Sequence, residues 1–361
     1  MPLTPELKAQ YEEAYKPYVE GGGAITDEQV RMKSWRYFLE INSACNLKCP
    51  SCTKGNMEGY DHKTGIMDEE LMQQCIDKIK NENNRAIVFL YGNSEPFLHP
   101  RLPECIASVK ARGLQCEFST NLNYIQRVEE TLAAKPDMII ISLSGFTQEV
   151  YVKGHRGGNI EKVKANMRTL AEANNQIPLP QRIRISVNYH VYTDNSHEIP
   201  LMEEYCKNLG IGFFTSNARA ISMENAIQYL RELEEQQTGD LPKFAVQPNR
   251  PDWNHALPPA SATYKETMAR IKIPPEKARE MYAKYPILPV CPVGDMFTFI
   301  RHDGKTSLCA CVADRRITLG DYLSTSQDDL SEQRRGHDIC QQCLKYRMNL
   351  YFHIVDREKW D

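Results

Sequence analysis

Residues 35–52, "WRYFLEINSACNLKCPSC", pass from an aromatic and β-branched run directly into a loop that carries Cys45, Cys49 and Cys52. The run reads as a strand, and the pattern it starts recurs along the chain. Further strand-like runs are "RAIVFLYGN", "LQCEFSTNL", "MIIISLSG", "RIRISVNYHVY" and "GIGFFTSN". Helical patterns such as "MDEELMQQCIDKIKNEN", "YIQRVEETLAAK" and "NIEKVKANMRTLAEAN" separate them. Six such repeats fill residues 35–220 and predict parallel strands joined by right-handed crossovers. The fold class is α/β, either a doubly wound sheet or a barrel, complete or incomplete. In both architectures the reactive face lies where the loops leave the C-terminal ends of the strands. The cysteine loop stands there.

The flanks carry less pattern. The chain of 361 residues suits one large domain with small appendages. Residues 221–245 read as a polar helix and 247–259 as a Pro-rich connection, which puts a domain boundary near 240–285. A net charge of −3 and a pI near 6.3, without a Lys/Arg-rich run, predict neither nucleic acid nor anionic membrane as a partner. The start, "MPLTPELKAQYEEAYKPYVEGGG", has no signal-peptide pattern, and no run of about 18 apolar residues occurs. A cytoplasmic location is expected.

Twelve cysteines in a long, charged chain favour metal or redox chemistry over disulfides. Cys75, Cys105, Cys116 and Cys206 are scattered through helix and strand patterns and read as small buried hydrophobes. The others form two groups. In the first, Cys45-x3-Cys49-x2-Cys52 can turn three sulfurs toward one centre, and thiolates select zinc, copper(I) or iron–sulfur clusters. Structural zinc takes four ligands. A cubane cluster on three cysteines keeps one iron open to a non-protein ligand. In the second group, Cys291-x12-Gly304-x4-Cys309 is followed by Cys340-x2-Cys343, and this spacing suits zinc and iron–sulfur equally.

The first motif, on the loop after the first strand of a βα domain, resembles the radical S-adenosylmethionine (SAM) enzymes. The resemblance implies a partial (β/α)6 TIM-like barrel over 35–220, a [4Fe-4S] cluster on Cys45, Cys49 and Cys52, and SAM chelated to the fourth iron. "YGNSEPFLHP" is similar to the family's Gly-Gly-Glu-Pro segment, which implies that Gly92, Asn93, Ser94 and Glu95 meet the SAM ammonium. Ser119 and Asn121 in "STNL", Ser142 and Ser144 in "SLSG", and Arg156 in "GHRGGN" match positions where relatives touch SAM or substrate. Strand-end Ser and Asn also cap helices. Two positions depart from the family: Ser51 replaces an aromatic residue before the third cysteine, and Ser144 replaces an aspartate.

The second group resembles the Twitch form of the SPASM domain, spanning 288–361. That resemblance implies one auxiliary [4Fe-4S] cluster on Cys291, Cys309, Cys340 and Cys343. A hairpin turn at Gly304 is expected, because such turns favour φ > 0. Cys311 is left over as a bystander, a replacement ligand or a hydrogen-atom donor. Residues 1–34, expected as a helical extension, and the linker 221–287 have no counterpart in the family; Arg250, Asp252, Trp253 and His255 in the linker are candidate substrate contacts.

The implied reaction is reductive SAM cleavage followed by hydrogen-atom abstraction, most simply for two-electron oxidation of a small molecule or sugar, with the auxiliary cluster accepting an electron. Epimerisation through Cys311, modification of a ribosomal peptide, and a non-catalytic electron carrier or scaffold are the alternatives. An external one-electron donor such as flavodoxin or ferredoxin is the expected partner.

Overall fold

The computed structural model describes residues 36–56, 64–238, 261–284, 291, 294 and 296–354. The expected extension over 1–34 and the candidate contacts Arg250, Asp252, Trp253 and His255 lie outside these residues. Six parallel strands stand side by side in chain order: β1 (Arg36–Leu39), β2 (Ile87–Phe89), β3 (Gln115–Thr120), β4 (Met138–Leu143), β5 (Arg184–Val191) and β6 (Gly212–Asn217). Between them run α1 (Thr53–Asn56), α2 (Glu69–Glu82), α3 (Leu102–Ala111), α4 (Val128–Ala133), α5 (Gln148–Gly154), α6 (Ile160–Asn175) and α7 (Ile199–Leu209). A doubly wound sheet reverses its strand order at a switch point, and this one never does. Right-handed crossovers that always advance the same way put every helix on one face, so the sheet is the wall of an incomplete barrel.

The alternation along each strand explains the two faces. Tyr37 and Leu39 of β1 are buried beneath the helices, whereas Phe38 between them faces inward and is half-buried. On β5 the pair Ile185 and Val187 enters the helix-side core, while Ser186, Asn188 and His190 take the inner face. The scattered cysteines Cys75, Cys105, Cys116 and Cys206 all belong to that core, as expected for small hydrophobes.

The C-terminal part does not stand apart from the barrel. Strand β7 (Phe297–Ile300) pairs in parallel with β1, matching Arg36 to Phe297 and Leu39 to Ile300. The antiparallel strands β8 (Lys305–Ser307) and β9 (Thr318–Asp321) extend the sheet beyond it. The turn between β7 and β8 holds Gly304 at φ 77°, as the hairpin reading requires.

Residues 221–287 were expected as a linker, but their described part packs. Ala226, Ile227 and Leu230 of α8 (Met223–Thr238) and Tyr264 and Met268 of α9 (Ala262–Met268) are buried. They share one core with Ala278 of α10 (Pro275–Met281), Leu330 of α11 (Gln327–Arg335), Ile339 of α12 (Asp338–Lys345) and Met348 of α13 (Met348–Ile354). The polar sequence of α8 hid this apolar stripe. A polar seam joins this second core to the barrel: Glu82 Oε2 accepts from Tyr37 at 2.9 Å, Tyr322 at 2.7 Å and Gln327 at 2.9 Å. Among the described residues no helix is long and apolar enough to cross a membrane.

Candidate active site

The cysteine loop is held from several sides. Asn42 Oδ1 accepts from the Ala44 N–H at 2.9 Å, and the Ala44 carbonyl accepts from the Glu95 N–H at 2.8 Å, which ties the loop after β1 to the loop after β2. The Lys48 N–H donates to the Arg156 carbonyl at 3.0 Å, and the Ser51 carbonyl accepts from Ile221 at 2.7 Å. Gly55 permits the last turn, because a Cβ there would stand 2.3 Å from the Cys49 carbonyl oxygen.

Cys45, Cys49 and Cys52 are free thiols that line one cavity of about 490 Å³. Burial pushes the Cys45 thiol up to about 11 and Cys49 well above its usual value, and each thiol's charge would repel its neighbours. The three therefore share one electrostatic neighbourhood that a cationic centre would relieve. Asn121 Nδ2 donates to Cys45 Sγ at 3.8 Å, the contact a thiolate ligand uses. Among the described residues no three His, Cys, Asp or Glu side chains converge as a single metal ion requires. A polynuclear cluster takes one thiolate on each iron it binds through, so its sulfurs face one centre at longer separations than a single ion allows. The donor set fits a three-thiolate iron–sulfur cluster.

Gly92, Asn93, Ser94 and Glu95 line the same cavity, as do Ser119, Asn121 and Ser142. Glu95 is fully buried. Its Oε1 accepts from Phe97 N–H at 3.0 Å and Thr120 Oγ1 at 2.8 Å, and its Oε2 accepts from Asn121 N–H at 2.7 Å. Three of about four acceptor sites are thus engaged within the protein. Burial raises the carboxyl to about 7 even though these three bonds favour the charged form. Gly92 has a local reason to be glycine: a Cβ would lie 2.6 Å from the Phe299 ring, brought in by β7.

Two predicted contacts stand elsewhere. Ser144 is buried beneath the cavity lining, with its hydroxyl 2.8 Å from His155 Nδ1 and close against Gly154, and it does not itself line the cavity. Arg156 is exposed and does not line the cavity, although its charge favours the Cys49 thiolate. Phe38, Tyr91 and Phe299 form an aromatic side of the chamber, with the Phe38 and Phe299 centroids 6.0 Å apart. Opposite them the inner faces of β3–β6 are polar: Ser119 and Ser142 hydroxyls lie 2.8 Å apart, and Ser216 donates to Asn188 Oδ1 at 2.7 Å. His155, stacked on Tyr151 at 4.9 Å, is held down to about 3 by burial and the nearby His190, so it is neutral near pH 7. Sequence reading missed Asn188, His190 and Ser216. The alternation of "RISVNYHV", with every second residue polar, was the available signal.

The second cysteine group is half-buried at Cys291, Cys309 and Cys340, as the first is at all three of its cysteines. Cys343 is buried, and Cys291, Cys309 and Cys340 all lie close enough to push its thiol further up. Cys311 shares a hydrogen bond with Cys309 and also lines the cavity, so it stands between the group and the chamber.

The sequence profile of the Radical SAM superfamily matches residues 39–199. The tungsten-containing aldehyde ferredoxin oxidoreductase cofactor-modifying protein of Pyrococcus furiosus is 28% identical over 180 residues, covering 48% of each chain. The probable GTP 3′,8-cyclase of Methanococcus maripaludis is 29% identical over 175 residues, covering 48% of this chain and 55% of its own. The match therefore spans about half the length of these curated relatives. Among solved structures, native anSMEcpe with bound AdoMet superposes with a TM-score of 0.51 at 15% identity, over 84% of this chain and 82% of its own. Streptococcus suis SuiB bound to precursor peptide SuiA gives 0.52 at 13% identity, over 92% and 70%. These two likenesses establish the fold.

Proposed function

Because the chain belongs to the radical SAM superfamily through residues 39–199, we propose that it cleaves SAM reductively at a cluster on Cys45, Cys49 and Cys52 and oxidises a small polar molecule or sugar by two electrons. The observation that carries this reading is the single cavity bounded on one side by those three thiols and on another by Cys311, beside the second cysteine group. When bound, the first cluster and SAM supply a 5′-deoxyadenosyl radical for hydrogen-atom abstraction, and the second cluster, on Cys291, Cys309, Cys340 and Cys343, supplies an electron acceptor.

The chain's own groups set the rest. Asn121 supports the Cys45 sulfur, and the strap of Gly92, Asn93, Ser94 and Glu95 borders the space next to the thiols. Glu95, a carboxyl with one acceptor site left among the lining of that space, suits an ammonium. The aromatic side keeps water from the reacting carbon, while Ser119, Ser142, Asn188 and neutral His155 offer hydrogen bonds to hydroxyl groups. A chamber of about 490 Å³ shared with SAM leaves room for a small substrate or one peptide side chain.

Epimerisation is the second reading, favoured by the position of the Cys311 thiol on the cavity wall. Anaerobic reconstitution followed by assay for 5′-deoxyadenosine tests the shared step, and absence of that product in fully loaded protein contradicts both readings. With a candidate substrate in deuterium oxide, a product two mass units lighter supports oxidation. Deuterium in an inverted product, lost in Cys311→Ala, supports epimerisation.

A further inference from the structure

One ammonium joins the two ends of the cysteine loop. Lys54, two positions after Cys52, donates from Nζ to the carbonyl of Ser43, two positions before Cys45, at 2.8 Å. The cation is thereby pinned across the loop. Its charge favours the Cys45 and Cys52 thiolates, and the Lys54 N–H favours that of Cys52 as well. Lys54 is half-buried and forms no ion pair among the described residues. Glu40, just after β1, shares a polar crevice with it, but this carboxylate is already engaged: it is ion-paired with Arg315, and its Oε2 lies 3.2 Å from His302 Nδ1. Arg315, from the segment between β8 and β9, lines the same crevice. Glu40 and Arg315 act on the ammonium with opposite sign. Among these groups one positive charge is left over, and it stands beside the thiols.

We propose that Lys54 is a positioning residue for electron entry, whose fixed charge raises the reduction potential of the cluster on Cys45, Cys49 and Cys52, and that Arg315 supports it by neutralising Glu40. The inference rests on the reading that these thiols hold a reducible cluster. Reduction adds one negative charge to a centre that already carries three thiolates, so a cation held nearby favours the reduced form. The electron comes from a one-electron reductant, which is oxidised by one as the cluster is reduced by one. Arg156 also acts on Cys49, but its side chain is exposed, where water and salt screen it. Lys54 is half-buried and is screened less.

The test is a redox titration of the full, anaerobically reconstituted chain without SAM, followed by electron paramagnetic resonance. The first cluster's signal is the one lost in Cys49→Ala, and the second cluster is the internal reference. Lys54→Met should lower the reduction equilibrium constant of the first cluster about tenfold, a potential about 59 mV more negative, and leave the second unchanged. Lys54→Arg keeps the charge and should stay within about twofold of wild type. Arg315→Met should lower the constant about threefold by leaving Glu40 uncompensated, and it decides the matter if Lys54→Met fails to take up iron. An unchanged first-cluster potential in Lys54→Met, or in Arg315→Met where that variant decides, overturns the proposal. So does an equal shift of both clusters, or a Lys54→Arg potential as low as that of Lys54→Met. A wild-type chain that forms no cluster on Cys45, Cys49 and Cys52 overturns it together with the SAM reading. A reducible first cluster that yields no 5′-deoxyadenosine sinks the SAM reading alone, with the potentials still deciding the role of Lys54.

Discussion

The two cysteine groups present the same donor atom in different surroundings. Cys45, Cys49 and Cys52 sit on a loop at the barrel's rim, open to a chamber and fastened mainly by backbone hydrogen bonds. Cys343 lies inside the second apolar core, with Cys291, Cys309 and Cys340 packed against it. If the first group holds an open cluster and the second a closed one, as proposed, ligand count and enclosure travel together. A group with a missing ligand is useful only where a substrate can reach it, and a complete group can serve as part of the packing. The two groups should therefore fail differently when damaged.

The largest contrast is expected from removing one cysteine of each group. Cys49→Ala should lower iron from about eight to about four atoms per chain and abolish SAM cleavage, by at least about 10³-fold, while global stability changes little. Cys343→Ala should lose a similar amount of iron, keep measurable SAM cleavage, and cost about 3 kcal/mol or more of stability, because cluster binding there contributes to folding. Metal analysis, 5′-deoxyadenosine assay and thermal unfolding on both variants check this. Equal loss of stability in the two would erase the distinction.

A smaller effect concerns buried carboxyls on each side. Burial raises both Glu95, next to the open group, and Glu224, which accepts the Ala313 and Asp314 N–H groups at 2.8 Å, to about 7. Each folded-state value lies above the unfolded one, so the native state binds the extra proton. The stabilisation is complete below about pH 4.5 and is lost as pH rises through about 7, at roughly 3 kcal/mol at most per group. Glu224→Gln should flatten the stability profile over that window while leaving SAM cleavage near wild type. Glu95→Gln should flatten it similarly and also slow cleavage, since the amide cannot accept from both Thr120 and the backbone of Asn121.

The smallest expected effect probes the contact between the halves. Gly92→Ala should cost about 1–2 kcal/mol by pushing the Phe299 ring aside, and the cost should shrink by about 1 kcal/mol in a Phe299→Ala background. Chemical unfolding of the four proteins of that cycle measures the coupling.

Much of this was legible in the chain, for identifiable reasons. The strand and helix periods of residues 35–220 predicted parallel strands covered by helices, because each crossover must cover the sheet, and the family resemblance chose a partial barrel over a doubly wound sheet. The spacing of Cys45, Cys49 and Cys52 located three thiols that line one cavity, since it depends only on neighbours in sequence. Gly304 at φ 77° was readable for the same reason. The unreadable parts depend on distant partners. Nothing in "FTFI" announces that β7 pairs with β1, 258 positions or more away, and brings Phe299 against Gly92. The apolar stripe of α8 is diluted by its Glu and Gln residues. Helix α11 had a local signal in Ser326 and Asp329, which form a capping box, but the surrounding turn residues masked it. Ser144 and Arg156 were matched by position alone, and position does not tell a side chain that lines the cavity from one beneath its lining or out on the surface.

The central claim is that one cluster is open to SAM and the other closed. Electron paramagnetic resonance of the reduced, fully loaded protein with and without SAM tests it most directly. SAM should perturb one of two cluster signals, and that responsive signal should vanish in Cys49→Ala and persist in Cys343→Ala. A spectrum indifferent to SAM, or a SAM-responsive signal that survives in Cys49→Ala, would contradict it.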